Sequence, residues 1–588
     1  MAYHYTTERN AQILISLLKE YGIKRIVASP GSTNANIVIS MQQDPFFEIY
    51  SAADERSAAY MSCGIAEETG EPVVISCTGA TASRNYIPGL TEAFYRKLPI
   101  VAVTSIVHFN KVGHLMPQTL DRSHIQKDIA KESVHLSKVL NAEDEYLTTF
   151  KVNKALNALF MDGGGPVHIN IETTYSYDFS AKELPKAKVI RKYTQNCDLP
   201  SLPKGRIAIF VGSHKKFTKE ETQIIDLFCA ENDSVVFCDH SSGYNGKYKF
   251  LCALVGCQVG YNKEIFSSEL AIHIGEVSGN YPGFSSLRKS KQAWRISEDG
   301  EMRDFASNLT AIFDMPEIVF FKSYIRHSQE KKDTYFNQCK NLYDGLFSSL
   351  QKLELPFSNG WIASKLSSVI PEGSSIFLGI LNSLRNWNFF KLPSSVSSSS
   401  NVGGFGIDGG VSTMVGASLV NPNKLCFGIF GDLAFFYDLN VLLNRHVGNN
   451  LRILLINNGK GAEFRMYSHL ASRIGDDADN YVAAAGHYGN KSQSLIQHFA
   501  MDSGYIYLHA ETKEDFLSKY KDFVNPAITK SIIFEVFTNS EDESDALKMI
   551  DHLMFPENQK SKKELVKHVI KDLLGENNVK RVINLLNK

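Results

Sequence analysis

The chain has 588 residues, more than one hydrophobic core usually organises, so its length predicts two to four domains. Its formal net charge of -1 gives no electrostatic footprint for nucleic acid or an anionic membrane surface. The nine cysteines are scattered without a CxxC pair, which argues against a zinc site and a disulfide framework. A small neutral or anionic ligand is therefore the expected partner.

The N-terminal sequence begins with polar residues and continues with helical periodicity, without the basic start and apolar core of a signal peptide. No apolar run reaches the roughly 18 residues that a spanning helix needs. We therefore expect a soluble, cytoplasmic protein that binds neither nucleic acid nor membrane.

The first 185 residues alternate short apolar runs with segments of helical length. Such runs, bounded by Gly or Pro, predict buried strands of a parallel sheet that is covered on both faces. The predicted strands are 25–28, 72–76, 98–103 and 166–171. The pattern indicates one doubly wound α/β domain.

A polar segment rich in Lys and Pro at 181–204 predicts a linker. A second α/β domain is expected at 200–345, with strands at 206–212, 234–238 and 270–275. It carries no dense polar motif, so a structural role is favoured, although Rossmann-like sheets often bind nucleotides.

A third α/β domain is predicted at 355–540, with strands at 375–379, 425–430 and 451–456. The serine-rich stretch 394–400 predicts a short flexible loop. Residues 541–588 are charged and helical in pattern, which indicates a C-terminal extension, either an appendage or a partner-binding tail.

Polar residues follow two neighbouring strands of the third domain. The run at 425–430 leads to Asp432, where a helix is expected to begin, and the run at 451–456 leads to Asn458 and Lys460. Carboxyl ends of parallel strands share one sheet edge, where ligands bind. Oxygen ligands there suit Mg²⁺, and the free N–H groups of the helix suit a diphosphate. Gly-Asp and Asn-Asn-Gly are also ordinary turn sequences, but their spacing favours a site.

The segment 50–59 moves from a short strand into a helix that begins near Asp54, whose side chain can cap the helix. Glu55 follows the cap. It is either a solvated first-turn glutamate that the helix dipole favours or a functional carboxylate, and the local sequence leaves both interpretations open.

Further motifs carry a more specific signal. They occur in order at 29–32, 54–59, 77–82, 85–86, 92–95, 406–409 and 431–440. Over about residues 5–540 the chain resembles the superfamily of thiamine diphosphate (ThDP)-dependent decarboxylases and carboligases. Within it, the chain resembles the 2-succinyl-5-enolpyruvyl-6-hydroxy-3-cyclohexene-1-carboxylate synthases of the menaquinone pathway. The resemblance implies ThDP and Mg²⁺ as cofactors, a pyrimidine-binding domain at 1–185 and a diphosphate-binding domain at 355–540.

The resemblance also implies roles for single residues. Glu55 would hold the pyrimidine nitrogen N1′, with a pKa raised by desolvation, and Gln118 would be an active-site glutamine. The implied metal ligands are Asp432, Asn458 and the Lys460 carbonyl. Further implied cofactor contacts are Thr78, Asn382, Ser383, Gly406, Ile407, Gly431, Leu433, Ala434 and Phe464. In this superfamily active sites form between subunits, so a homodimer or homotetramer is implied.

The substrate end departs from the family. Where the synthases carry arginines, which are natural readers of carboxylates, this chain has Thr33, Ile106, Trp387 and Val402. Glu463, near the metal loop, should disfavour a second carboxylate on the donor. A pyruvate-like donor is therefore expected rather than 2-oxoglutarate.

Three histidines lie on the segment around Gln118, namely His108, His114 and His124. They are candidate proton shuttles in the substrate pocket, although an exposed or structural histidine is the more ordinary interpretation of each.

We expect an enzyme that decarboxylates a 2-oxo acid and transfers the acyl unit to a carbonyl acceptor, such as a keto-sugar or aldehyde. A simple decarboxylase is one alternative. The synthase reaction is another, if arginines elsewhere replace the missing ones; the candidates are Arg84, Arg96, Arg385 and Arg465. A catalytically retired scaffold is the third, and the presence of Glu55, Asp432 and Asn458 argues against it.

Overall fold

The computed structural model describes residues 4–122, 125–326, 333–487 and 492–555. The chain divides into two compact units, one formed by Met1–Asp198 with Gly300–Asp314 and the other by Leu199–Asp299 with Met315–Lys588. Within the described ranges, no helix is long and apolar enough to cross a membrane.

The part of the first unit up to residue 198 alternates strands with helices. Its strands are β1 (Arg25–Ala28), β2 (Glu48–Ser51), β3 (Val73–Cys77), β4 (Ile100–Ile106), β5 (Ser133–Leu136), β6 (Val167–Glu172) and β7 (Arg191–Thr194). Its helices are α1 (Arg9–Glu20), α2 (Ala35–Gln42), α3 (Glu55–Thr69), α4 (Thr81–Asn85), α5 (Ile87–Arg96) and α6 (Ala142–Ala158). Six strands form a parallel sheet in the order β2-β1-β3-β4-β6-β5.

Successive residues of the central strands face opposite sides of this sheet, and both sides are covered. Ile26 and Val74 belong to a core with α1 and α6, whereas Val27 and Ile75 belong to a core with α3 and α5. Because neither face of these strands is exposed to water, their sequences are continuous apolar runs.

The next part of the chain contains β8 (Ile207–Val211), β9 (Ser234–Cys238), β10 (Lys249–Leu251), β11 (Leu270–Ile274), β12 (Gln292–Ser297) and β13 (Leu309–Asp314). Its helices are α7 (Lys219–Asn232), α8 (Ala253–Gly256), α9 (Tyr281–Ser285), α10 (Glu317–Ser323) and α11 (Thr334–Leu350). In the second unit the strands run β10-β9-β8-β11-β12, all parallel. In the first unit β13 pairs in parallel with β7.

The remainder contains β14 (Ser375–Leu378), β15 (Ser397–Ser399), β16 (Cys426–Gly431), β17 (Leu451–Asn457), β18 (Ile506–Ala510) and β19 (Ile532–Phe537). Its helices are α12 (Asn359–Leu366), α13 (Asn382–Trp387), α14 (Gly410–Val420), α15 (Asp432–Tyr437), α16 (Leu495–Asp502), α17 (Lys513–Val524) and α18 (Ser540–Asp551). The strands form a parallel sheet in the order β15-β14-β16-β17-β19-β18.

These sheets confirm the predicted fold class, and every strand predicted from an apolar run is present. Three predictions about irregular segments need correction. The serine-rich stretch is not a flexible loop, because β15 forms within it, and the predicted linker contains β7. The start of the extension is not an appendage, because α18 buries Leu547 and Ile550. Residues 556–588 lie outside the described residues.

Candidate active site

The strand order of the third sheet reverses between β14 and β16, which are neighbours although β15 separates them in the chain. Open α/β sheets bind ligands at such a switch point, outside the carboxyl ends of the strands. Gly379 follows β14, Asp432 follows β16 and Asn458 follows β17. These three segments therefore meet at one edge of the sheet.

A cavity of about 180 Å³ opens at this edge, and we call it the cofactor cavity. The predicted residues among its walls are Asn382, Ser383, Ile407, Gly431, Asp432, Leu433, Ala434, Asn458, Lys460, Glu463 and Phe464. Gly406 is exposed and precedes the wall residue Ile407. Residues from six separate stretches of sequence are thus gathered around one small space.

Asp432 lies at the junction of β16 and α15 and is 4% exposed. Its Oδ1 accepts a hydrogen bond from the backbone N–H of Leu433 at 2.8 Å, and its Oδ2 accepts one from Gly459 at 2.9 Å. Burial raises the pKa of Asp432 to about 7. A bound cation would favour the ionised form, so this carboxyl group suits a metal ligand.

Asn458 supplies the second oxygen. Its Oδ1 is buried and accepts no hydrogen bond among the described residues, which is a costly arrangement unless a ligand provides the partner. The Lys460 ammonium is held by Asp479 at 2.5 Å, so the backbone carbonyl is the Lys460 atom suited to a cation. Carboxylate, amide and carbonyl oxygens fit a hard divalent cation such as Mg²⁺.

In the first unit, Glu55 is the first residue of α3. Asp54 caps the helix as predicted, because its carboxylate accepts the backbone N–H of Ser57 at 2.8 Å. The Glu55 side chain is half-buried, and exposed Tyr60 and Met61 follow it on the same helix. The expected burial of Glu55 is therefore only partial within one chain.

A cluster of hydroxyl groups occupies the switch point of the first sheet, between β1 and β3. Thr33 Oγ1 lies 2.6 Å from Thr78 Oγ1 and 2.6 Å from Ser105 Oγ. Thr33 is buried, and so is Ile106, the last residue of β4. The cluster offers hydroxyl groups where the sequence comparison expected arginines, and Thr78 is the most accessible of the three.

The segment that follows β4 carries the remaining predicted residues of this unit. His108, His114 and Gln118 are all exposed, and His108 and Gln118 adopt left-handed backbone conformations with φ near 60°. None of the three lines a described cavity of the first unit. His124 lies outside the described residues.

Residues 9–125 match the family described as the thiamine pyrophosphate enzyme N-terminal TPP binding domain. This part of the chain is therefore a TPP-binding domain like those of ThDP-dependent enzymes. The 2-succinyl-5-enolpyruvyl-6-hydroxy-3-cyclohexene-1-carboxylate synthase of Bacteroides fragilis is 29% identical over 565 residues, 93% of this chain and 99% of the relative. The synthase so named in Bacteroides thetaiotaomicron is 28% identical with the same coverage. That of Flavobacterium johnsoniae is 27% identical over 78% of this chain and 84% of its own.

The negative charge of Glu463 is compensated by a neighbouring arginine. Both of its oxygens accept hydrogen bonds from the Arg385 guanidinium, at 2.9 and 2.8 Å. The expectation that Glu463 repels a donor carboxylate therefore needs correction, because the bidentate pair is neutral overall. Arg385 also donates to Asn382 Oδ1 at 3.0 Å, which fixes a wall residue of the cofactor cavity.

Trp387 and Val402 do not form the predicted substrate pocket. Trp387 is fully buried and Val402 is 1% exposed, and neither is among the walls of the cofactor cavity. The Trp387 indole N–H donates to Asn359 Oδ1 at 3.2 Å. Both side chains are therefore core residues. They stand where the resemblance implies arginines, but they add no apolar surface to the cofactor cavity.

Two wall residues of the cofactor cavity with polar side chains escaped the sequence analysis, Asn359 and Glu543. The Glu543 carboxylate accepts the Asn359 backbone N–H at 3.0 Å, and the Asn359 amide donates to Ser383 Oγ at 3.3 Å. Burial raises the pKa of Glu543 to about 7. No local pattern marks Glu543, which lies on a polar helix far along the chain.

Arg122 was also missed. It is 5% exposed and donates to Asn170 Oδ1 at 3.2 Å and to the Ser105 carbonyl at 2.9 Å. It makes no ion pair with a described carboxylate, and burial lowers its pKa to about 10. A Cβ atom at Gly79 would lie 2.9 Å from Arg122 Nη1, so Gly79 permits this close approach.

The arginines that the sequence offered as substitutes are occupied. Arg96 pairs with Glu67, Arg385 with Glu463 and Arg465 with Asp476. Exposed Arg84 donates to the Asp121 carbonyl at 3.1 Å. Arg122 is therefore the arginine of the first unit that best suits an anionic group.

Proposed function

We propose that this ThDP enzyme uses Mg²⁺, decarboxylates a 2-oxo acid and transfers the remaining acyl unit to a carbonyl acceptor. When bound, ThDP supplies the electron sink for cleavage of the bond to the carboxylate. The chain would hold the diphosphate and cation at the cofactor cavity and protonate the pyrimidine ring through Glu55. The proposal rests mainly on Asn458, which lines the same cavity as Asp432. Its buried Oδ1 accepts no hydrogen bond among the described residues.

Calorimetric titration of the protein with ThDP, with and without Mg²⁺, tests the cofactor requirement. We expect binding that EDTA weakens, because Asp432 and Asn458 would hold the cation, whose positive charge would favour retention of the diphosphate. An absence of ThDP binding in the presence of Mg²⁺ would instead support a catalytically retired scaffold.

We infer that the donor carries a single carboxylate, as pyruvate does. Lys460 is the cation among the described walls of the cofactor cavity, and it is paired with Asp479. The Arg385 guanidinium beside this cavity is likewise paired with Glu463. A second carboxylate on the donor would therefore find no uncompensated cation on these walls, and its desolvation would be unfavourable.

Release of CO₂ from a panel of 2-oxo acids tests this donor preference. We expect a higher kcat/KM for pyruvate than for 2-oxoglutarate. A faster reaction with 2-oxoglutarate would contradict the charge argument. Release of free aldehyde in place of a longer product would identify a simple decarboxylase.

The activity for which the relatives are named is the second candidate. Their similarity spans 93% of this chain, and Arg122 is a buried guanidinium without a described carboxylate partner that would suit an anionic substrate. Formation of 2-succinyl-5-enolpyruvyl-6-hydroxy-3-cyclohexene-1-carboxylate, lost in Arg122→Gln but retained in Arg84→Gln, would establish this function in place of the first.

We also propose a homodimer or homotetramer with active sites between subunits. The half-buried Glu55 and its exposed neighbours Tyr60 and Met61 suit a surface that a second copy covers. Mixing inactive Glu55→Gln with inactive Asp432→Ala protein tests this arrangement after subunit exchange. Sites between subunits predict recovery of about a quarter of the activity, because half of randomly paired dimers contain one intact site. No recovery despite exchange would contradict the proposal.

A further inference from the structure

A second cavity, of about 440 Å³, lies next to the cofactor cavity within the second unit. Leu381 lines both cavities. Helix α18 lines both as well, because Glu543 borders the cofactor cavity while Leu547 and Asp551 border the second one. Residues spaced by four share a helix face, so one face of α18 forms a continuous wall. The volume of the second cavity falls in the range of small-molecule sites.

Two side chains of the second cavity present unpartnered polar atoms. Asp551 is 9% exposed and Asn388 is fully buried. Asp551 Oδ2 accepts the Tyr467 hydroxyl at 2.6 Å, and Asn388 Oδ1 accepts the His240 backbone N–H at 2.9 Å. The other atoms, Asp551 Oδ1 and Asn388 Nδ2, make no hydrogen bond among the described residues, although the weak donor Cys257 lies beside Asp551.

These two atoms have complementary chemistry. Asn388 Nδ2 is a donor, and Asp551 Oδ1 is an acceptor when the carboxyl group is ionised. Burial raises the pKa of Asp551 to about 6, so the ionised form prevails at neutral pH. Each side chain is fixed by the hydrogen bond that its other polar atom makes. The unpartnered atom of each side chain is therefore held in position for a ligand. Hydroxyl groups of a ligand can bond to both atoms, because a hydroxyl group can donate a hydrogen bond to Asp551 Oδ1 and accept one from Asn388 Nδ2.

Part of the remaining wall suits a short carbon chain, beside polar and charged wall residues that include Lys263 and Arg385. Leu381, Pro282, Phe389 and Leu547 supply apolar surface between the polar groups. A molecule lying along this surface would extend from the cofactor cavity, past Leu381, toward Asp551 and Asn388. Its carbonyl group would then face the cofactor, while hydroxyl groups further along it would reach the two polar side chains.

We propose that the second cavity binds the acceptor, and that the acceptor is a small polyhydroxylated carbonyl compound whose hydroxyl groups bond to Asn388 and Asp551. The inference rests on the proposed function, since it places the acceptor beside a cofactor cavity that holds ThDP. In the transfer, the acyl carbon that has lost CO₂ forms a bond to the acceptor carbonyl carbon, and the carbonyl oxygen takes up a proton. The product is a hydroxy ketone.

Binding of matched aldehydes to the protein loaded with ThDP and Mg²⁺ tests the proposal. D-glyceraldehyde, D-erythrose and D-xylose are compared by calorimetry with propanal, butanal and pentanal, which have the same carbon counts without the extra hydroxyl groups. We expect at least one sugar to bind about tenfold more tightly than its matched aldehyde and to yield a hydroxy ketone with pyruvate. Equal or weaker binding of all three sugars would overturn the proposal.

Variants assign the contacts. Asn388→Asp retains an oxygen for His240 and loses the free donor, whereas Asp551→Asn retains an oxygen for Tyr467 and loses the charge. Each should weaken sugar binding about tenfold without changing ThDP affinity. Ser285→Ala is the matched control, because Ser285 lines the cavity but its hydroxyl donates to the Pro282 carbonyl. If both variants retain wild-type sugar affinity and melting temperature, the cavity assignment is wrong.

Failure of this proposal is separable from failure of the proposed function. One outcome is that ThDP binds and pyruvate is decarboxylated but no sugar binds. The enzyme assignment is then supported, and the proposal that the second cavity binds the acceptor is wrong. The other outcome is that ThDP does not bind but a sugar binds and Asn388→Asp weakens this binding. The second cavity is then a ligand site, and the enzyme assignment is wrong.

Discussion

The two sheet edges that carry the predicted cofactor residues differ in how their polar groups are satisfied. At the first sheet, Thr33, Thr78 and Ser105 bond to one another, and Glu55 remains half-exposed. At the third sheet, Asp432 is buried beside Asn458, whose Oδ1 accepts no hydrogen bond from the residues that the structure describes. The edge of the third sheet therefore has an unpartnered polar atom that a ligand could satisfy within one chain. The edge of the first sheet presents a carboxylate that a second surface would have to cover.

The largest expected effect concerns Asp432, at the edge of the third sheet. Asp432→Ala removes the buried carboxylate of the proposed metal site, so ThDP affinity measured with Mg²⁺ should fall by more than about 100-fold. Asp476→Asn is the control, because this carboxylate is 96% exposed and pairs with Arg465 at the surface. Normal ThDP affinity in Asp432→Ala would remove this residue from the cofactor site.

The next expected effect concerns Glu55, at the edge of the first sheet. Glu55→Gln cannot protonate the pyrimidine ring, so the decarboxylation rate should fall by about 100- to 10,000-fold while ThDP affinity changes little. Stopped-time CO₂ measurements and calorimetry separate these two quantities. Glu68→Gln, an exposed position on the same helix, should match the wild type. Full activity in Glu55→Gln would contradict the assigned role.

A smaller effect is expected where a neutral ion pair borders the cofactor cavity. Glu463→Gln frees the Arg385 guanidinium, so kcat/KM for 2-oxoglutarate relative to pyruvate should rise about tenfold. The double variant Glu463→Gln/Arg385→Met removes the freed cation and should restore the wild-type ratio. An unchanged ratio in the single variant would show that Arg385 does not reach the donor.

A separate effect concerns the stability of the cofactor-free protein. The pKa of Glu543 is raised from 4.5 to about 7 in the folded state, so the folded protein retains a proton that the unfolded chain releases. The resulting destabilisation is absent below pH 4.5, grows through the interval up to pH 7 and is complete above it. Glu543→Gln should therefore raise the unfolding free energy at pH 8 by up to about 3 kcal/mol and leave it unchanged at pH 4.

Thermal unfolding at the two pH values checks this prediction. Glu541→Gln is the control, because Glu541 is exposed in the first turn of α18. Equal stabilisation by Glu543→Gln at both pH values would show that proton release from Glu543 is not the cause.

The sequence predicted those parts of the fold that depend on local pattern. Fully buried parallel strands are apolar throughout, so β3, β4, β16 and β17 were visible as runs. The edge strand β15 was not, because it consists of serines, which form no apolar run, although it pairs with β14 through its backbone. The metal-binding candidates were visible for a related reason, since Asp432 and Asn458 directly follow recognisable strands.

The features that escaped prediction depend on contacts between distant segments. The charge of Glu463 could not be judged without knowing that Arg385 lies 2.8 Å away. Trp387 stands where the resemblance implies an arginine, yet only packing shows that its ring is buried and that its N–H donates to Asn359. Arg122, Glu543 and Asp551 have no sequence signature because their roles come from burial.

Helix α18 has a consequence for biosynthesis. It supplies walls of both cavities, yet it follows every other wall element along the chain. During synthesis the first sheet can fold early, as domains generally do from the N-terminus. The cofactor cavity cannot be complete until α18, which ends at Asp551, has left the ribosome, so loading with cofactor is expected only after α18 has docked.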